Sequence, residues 1–245
     1  MKIAVISDKI IDYNSELCAA DYYPSESVVT PSDWAEYDAA FLVDPISEIA
    51  VNKWTGHPHL RHLHSEGELD FEIAFLLTNI ECEKKLLIEI PSEDIFSKYH
   101  AFKSEIEQIY LISDNGTHRI RKRISAGSKA YFETRKIYVS PTKCNEYEHR
   151  ISEEKYEELK LKADPECKPI HKFRYCFLYK YQYFELDVYD FWKNNATLEL
   201  ELKRENEPFF LPPEISVIKD VSKDRAYKNH QLARIDYEDC KTELL

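Results

Sequence analysis

Arg119, Arg121 and Arg123 stand two residues apart, as do Lys172 and Arg174, Glu185 and Asp187, and Glu199 and Glu201. Earlier in the chain Glu81, Glu83 and Lys85 keep the same interval, Lys136 follows Thr134, and Glu148 follows Glu146. Residues i, i+2 and i+4 of a strand share one face, so each group lines up on a single strand face. Apolar residues take the other face: Ile120 and Ile124 behind the arginines, Phe173 and Tyr175 beside Lys172 and Arg174, and Leu198, Leu200 and Leu202 beside Glu199 and Glu201. A half-buried antiparallel sheet with its charges in water has the same alternation. The sorting of sign argues for something else. Soluble surfaces intersperse acids and bases, whereas whole strands here carry one sign, and three arginines on one face repel one another unless an anion lies opposite. A barrel turned inside out, with charged faces around a wet tunnel and apolar faces covered by helices, accounts for the pattern. Its bases would grip a chain of phosphates through charge-assisted hydrogen bonds. Its carboxylates would supply the oxygen ligands that Mg²⁺ or Mn²⁺ prefers.

The strands that must carry these residues read as 81–88, 109–113, 118–125, 130–139, 145–151, 170–179, 183–190 and 197–202, enough to close a barrel. Between them 92–107 and 152–162 read as helices, the second opening on Ser152 before Glu153 and Glu154, which favour an N-terminus. Residues 1–78 read as a small α/β piece with strands at 2–7 and 37–44. Ser32-Asp33 would cap a short helix through Trp34. Leu69, Ile73, Leu76, Leu77 and Ile80 recur at helical spacing, which predicts an amphipathic helix from about Glu66. Two strands make no stable sheet alone, so this piece must lean on the rest.

The bulk numbers exclude several classes. A 245-residue chain that is 43% hydrophobic and 32% charged can bury a core and is not disordered. Apolar runs such as 3–6 and 39–43 are too short for a membrane span or a signal-peptide core, which places the protein in the cytoplasm. The six cysteines form no C-x-x-C pair and read as reduced thiols. A net charge of −12 argues against a nucleic-acid surface. None of the four glycines sits in a P-loop or a G-x-G-x-x-G turn, so phosphate must be held by side chains. The four histidines His57, His59, His62 and His64 invite a zinc reading, but a loop or short helix without a defined ligand geometry is the better account.

Glu81-Cys82-Glu83-Lys84-Lys85 resembles the E-x-E-x-K signature of the CYTH, or triphosphate tunnel metalloenzyme, superfamily. The R-x-R strand (Arg121, Arg123), the T-x-K element (Thr134, Lys136), Glu146 and Glu148 before a helix, Lys172 and Arg174, Glu185 and Asp187, and Glu199 and Glu201 follow in the family's order. Lys219-Asp220-Val221-Ser222, with Arg225, Tyr227 and Asn229, resembles its close, with Asp and Ser in place of Glu and Thr. The resemblance implies an α+β fold: an eight-stranded antiparallel β-barrel with flanking helices over 79–240, plus the small α/β segment over 1–78. It implies metal held by Glu81, Glu83, Glu199 and Glu201, with Glu185 and Asp187 as further candidates. Phosphates would be held by Lys85, Arg119, Arg121, Arg123, Lys136, Lys172 and Arg174. Glu146 and Glu148, with Glu81, Glu83 and Lys85, are the candidates for direct participation in catalysis.

Residues 54–60 and Asp70-Phe71-Glu72 resemble the end of the P-loop ATPase module that precedes a CYTH domain in some fusion proteins, here shortened and without its phosphate loop. The expected activity is metal-dependent hydrolysis of a phosphoanhydride in inorganic triphosphate, a nucleoside triphosphate or short polyphosphate. The same resemblance covers adenylate cyclases, and a non-catalytic nucleotide sensor is a third reading. Side chains that grip phosphates are indifferent to what lies beyond them, so the substrate's other end is not legible, and a homo-oligomer stays open.

Overall fold

The protein was analysed as a computed structural model, which describes residues 2–9, 11, 18–24, 27, 36–57, 59–78, 80–202 and 207–235, without the side chain of Glu81. The expected cap at Ser32-Asp33 lies outside the described residues, as does Cys240.

The first part of the chain makes a four-stranded parallel sheet from β1 (Lys2–Ser7), β2 (Ala19–Pro24), β3 (Ala39–Val43) and β4 (Leu60–Leu63), ordered β2-β1-β3-β4. The unbroken apolar runs of β1 and β3 follow from burial on both faces. One face, with Ile3, Val5, Ala39 and Phe41, packs on Leu69 and Ile73 of helix α2 (Leu69–Leu76). The other, with Ala4, Ile6, Ala40 and Leu42, packs on Trp54 of helix α1 (Glu48–Trp54) and on Phe102, Leu178 and Tyr183 from the second part of the chain. β2 and β4 were not legible beforehand: β2 is polar at an edge, and β4 is four residues long.

The second part is a closed antiparallel barrel of eight strands: β5 (Ile80–Glu89), β6 (Phe102–Leu111), β7 (Thr117–Ser125), β8 (Ser128–Ser140), β9 (Lys143–Ile151), β10 (Ile170–Tyr179), β11 (Gln182–Tyr189) and β12 (Asn195–Glu201). Their order is β12-β11-β10-β6-β7-β8-β9-β5, and β12 pairs with β5 to close it. β9 meets β5 only at Ile80–Cys82, and an added strand, β13 (Val217–Asp220), pairs along the upper part of β5.

The expected helix over 92–107 is corrected. Only α3 (Asp94–Lys98) is helical there, and 102–111 belongs to β6. The segment mixes apolar and charged residues at a spacing that fits either period, and pairing with β7 and β10 decides it. The expected helix α4 (Glu153–Lys160) is present, and the Ser152 side chain accepts a hydrogen bond from the Lys155 N–H.

The apolar strand faces point outward and are covered piecemeal. Tyr156 and Leu159 of α4 lie on Ile109, Leu111 and Ile120. Cys82, Leu86, Ile88, Phe177, Phe184, Leu186, Leu198 and Leu200 form the largest cluster, covered by α3 and by Phe209, Leu211 and Ile215 of a non-helical segment. Helices therefore make only part of the expected cover. No helix among the described residues is long and apolar enough to cross a membrane.

The turn from β6 to β7 brings Gly116 against β8 at a φ of 71°, where an added Cβ would lie 1.9 Å from the Lys136 carbonyl oxygen. Gly116→Ala is expected to destabilise the fold by about 2 kcal/mol or more, through left-handed backbone strain and forced separation of β7 from β8. Urea unfolding of the full chain measures it.

Candidate functional site

Strand alternation carries the charged side chains inward, into a cavity of about 620 Å³. Its lining includes Glu83, Lys85, Arg119, Arg121, Arg123, Lys136, Glu146, Glu148, Arg174, Glu185, Glu199 and Glu201. Of the other expected residues, Lys172 and Asp187 sit behind the wall with their side chains fully enclosed, and the Glu81 side chain lies outside what is described. Arg150 of β9 also lines the cavity.

Register sets which charges face one another. Arg174 lies opposite Asp187 and holds it through Nε–Oδ1 and Nη2–Oδ2 contacts, each of 2.7 Å. It also pairs with Glu185 and reaches Glu199 Oε2 at 3.3 Å. Lys172 donates to the same Asp187 carboxylate. Lys85 lies opposite Glu199 and contacts its Oε1 at 2.6 Å. On the other side of the barrel Glu146 accepts from Arg119 at 3.1 Å and pairs with Lys136 at 3.1 Å, while Glu148 accepts from the Thr134 hydroxyl at 2.6 Å.

This network shifts the titration of its members. Burial works against the Glu199 carboxylate, yet Lys85 and Arg174 hold it well below the usual range. Asp187 is likewise lowered against its burial by Arg174 and Lys172, and Glu148 by Arg121. Burial lowers Arg121, and the neighbouring Arg119 charge adds to that.

Two groups stand apart as under-compensated. Among the described residues the Arg121 Nε is buried without a hydrogen-bond partner, and the guanidinium comes no nearer a carboxylate than 3.8 Å, at Glu148. Glu83 leaves Oε1 buried and unpartnered, its Oε2 lying 3.4 Å from Lys228. Glu83 also faces Glu201 directly across β5 and β12, as Glu185 faces Glu199 across β11 and β12. Like charges placed opposite destabilise a sheet, so the cavity combines a base seeking an anion with paired acids seeking a cation. Glu83, Glu199 and Glu201 on adjacent strands are of the oxygen-donor type a hard divalent ion prefers, but among the described residues their carboxylates do not converge within 4.8 Å of one another, and Lys85 and Arg61 already hold Glu199 and Glu201.

Several groups in the cavity wall or in contact with it had no sequence signal. Arg61 of β4 contacts Glu201 Oε2 at 2.7 Å across 140 residues of chain. Lys228 comes from the segment after β13, next to Asn229, which accepts from the Tyr189 hydroxyl at 2.7 Å. The Tyr183 hydroxyl is buried and unpartnered in the cavity wall; strand alternation from Glu185 would have found it. The four histidines do not converge: His57 sits by the Tyr37 carbonyl, His62 by Asp44, and His64 against the Tyr181 ring. Among the described residues Asp164, Cys167 and His230 do converge, but Arg234 already occupies Asp164 and burial pushes the Cys167 thiol up to about 11.

No family model and no curated protein matches the chain. Solved structures do. The inorganic triphosphatase NE1496 shares 27% identity, covering 64% of this chain and 95% of its own, at a TM-score of 0.42. The PH1819 protein of Pyrococcus horikoshii shares 23% identity over 51% of this chain and 80% of its own, at a TM-score of 0.38. A Hippeastrum protein with a dominant triphosphatase activity shares 13% over 50% and 80%, also at 0.38. Each of these three TM-scores lies below 0.5.

Because Glu199, Glu148 and Asp187 are depressed, their contribution to stability is complete above the ordinary carboxylate pKa of about 4 and is lost as the pH falls through the lower folded-state values. The unfolding free energy from urea titrations is expected to fall steeply below about pH 4. Glu199→Gln should make that acid limb shallower.

Proposed function

We propose that this chain is a triphosphate tunnel enzyme of the CYTH type, which hydrolyses a phosphoanhydride bond of a triphosphate held in the barrel. The observation that carries the reading is Arg121: a largely enclosed guanidinium whose buried Nε has no partner among the described residues, beside Arg119 and Arg123 on the same strand face, is a site prepared for a polyanion. The sequence resemblance, with its elements in family order, supports the same reading.

In this reading Arg119, Arg121, Arg123 and Lys136 hold the phosphoryl oxygens; Glu146 positions Arg119 and Lys136 before the ligand arrives, and Ser104 and the Gly56 carbonyl position Arg123. Donors fixed in advance stabilise charge that develops on the oxygens during transfer without reorganising. Arg174 and Lys172 serve chiefly by neutralising Asp187, which leaves Glu83, Glu199 and Glu201, with Glu81 and Glu185 beside them, as the acids that would hold a divalent ion. When bound there, such an ion would supply Lewis-acid neutralisation of the phosphoryl oxygens. A carboxylate of the Glu146–Glu148 pair orients water for in-line attack on the terminal phosphorus, and the bond to the bridging oxygen breaks. Residues 1–78 and 79–240 are the two units of this reading, the first an ATPase-like remnant without a phosphate loop of its own.

The test is a panel of tripolyphosphate, ATP, GTP and polyphosphate with Mg²⁺ or Mn²⁺, with products identified by chromatography. Phosphate or pyrophosphate release is expected. Arg121→Ala should lower kcat/KM by about 10²-fold, the scale of losing one preorganised donor, and Glu83→Gln should lower it comparably with the fold retained by circular dichroism. No release from any member with either ion overturns the hydrolase, and cyclic AMP with pyrophosphate from ATP assigns the site to a cyclase.

A further inference from the structure

In open parallel sheets ligands sit beyond the carboxyl ends of the strands, where strand order reverses. In this chain the reversal lies between β1 and β3, and that edge is closed. The Asp8 N–H donates to the Pro45 carbonyl at 2.9 Å, the Ser7 hydroxyl does so at 3.3 Å, and Asp44 is taken by His62 and by the Tyr181 hydroxyl of the β10–β11 hairpin. The opposite edge is the one turned to the tunnel, where Tyr37, Asp38, Gly56, His57 and His59 form part of the cavity wall.

Two contacts run from this wall to charged groups of the site. The Gly56 carbonyl accepts from Arg123 Nη2 at 3.0 Å, while Arg123 Nε donates to Ser104 at 2.9 Å. Arg61 Nη2 lies 2.7 Å from Glu201 Oε2, with the two side chains 15% and 31% exposed. That pair is shielded enough for its charges to be felt in the cavity. Glu201 faces Glu83, so without Arg61 the tunnel would hold two adjacent acids and one fewer neighbouring cation.

We propose that the N-terminal sheet is a working wall of the triphosphate tunnel, and that Arg61 is a positioning residue. It fixes and neutralises Glu201, so that the β7 arginines keep their full attraction for a bound triphosphate. The inference rests on the triphosphate reading of the site and adds to it a unit that lacks phosphate-binding loops of its own. Arg61 touches no substrate in this account and acts through Glu201. Its loss adds an uncompensated negative charge to an anion site.

Calorimetric titration of tripolyphosphate into the full chain, in metal-free buffer, separates the possibilities without requiring turnover. Arg61→Ala is expected to weaken binding about tenfold or more, and adding Glu201→Gln should recover most of that loss, the non-additivity expected of a coupled pair. Tyr181→Phe removes a sheet–barrel hydrogen bond remote from the charged groups and should bind within about twofold of wild type. Thermal melting verifies folding, and Arg61→Gln, which keeps a hydrogen bond but no charge, takes the place of Arg61→Ala if the latter unfolds. Folded Arg61→Ala or Arg61→Gln protein that binds within about twofold of wild type overturns the inference alone, as does an equal loss in Tyr181→Phe. Absence of binding by the wild type overturns the triphosphate reading and this inference together.

Discussion

A closed barrel that turns its charged faces inward must neutralise those charges without bulk water. Enclosing an ion costs several kcal/mol unless a partner of opposite sign is held in good geometry. The Arg174–Asp187 pair, joined by Lys172 and by Glu185 and Glu199, meets that demand where the wall is driest. It depends on register: Arg174 meets Asp187 because β10 and β11 pair with those two residues opposite. A slip of one residue would turn the charges outward and Tyr175 and Leu186 inward.

The inner charges differ in how completely they are satisfied. Asp187 and Lys172 are spent on one another and on Arg174, which makes them part of the scaffold. Arg121 and Glu83 are left partly uncompensated, and those are the positions at which a ligand gains most by binding. Stability and ligand affinity thus draw on the same set of side chains but on different members of it.

The outer faces obey a simpler rule. Apolar strand faces need cover, and any element suffices: α4 over β6 to β8, and a non-helical segment over β10 to β12. The N-terminal sheet packs instead on Phe102, Leu178 and Tyr183, which share strand faces with Ser104, Arg174 and Glu185. It therefore meets the inward faces at one end of these strands, which brings the Gly56 carbonyl to Arg123 and Arg61 to Glu201.

The alternation of charged and apolar residues was legible in the sequence because a strand's two-residue period converts spacing directly into facing. That was enough for seven of the eight barrel strands, for most of the inward set of acids and bases, and for helix α4 with its Ser152 cap. The segment 92–107 was misread because its pattern fits either period and only pairing with β7 and β10 decides it. The sequence also could not rank the inward charges. Whether a base grips a ligand or a neighbour depends on cross-strand register and depth, and so Lys172 and Arg174 look alike in sequence although one is enclosed and the other lines the cavity. Least legible was Arg61 on Glu201, a contact between residues 140 apart in two differently built sheets. No local pattern encodes it, because it exists only once both sheets have formed and packed.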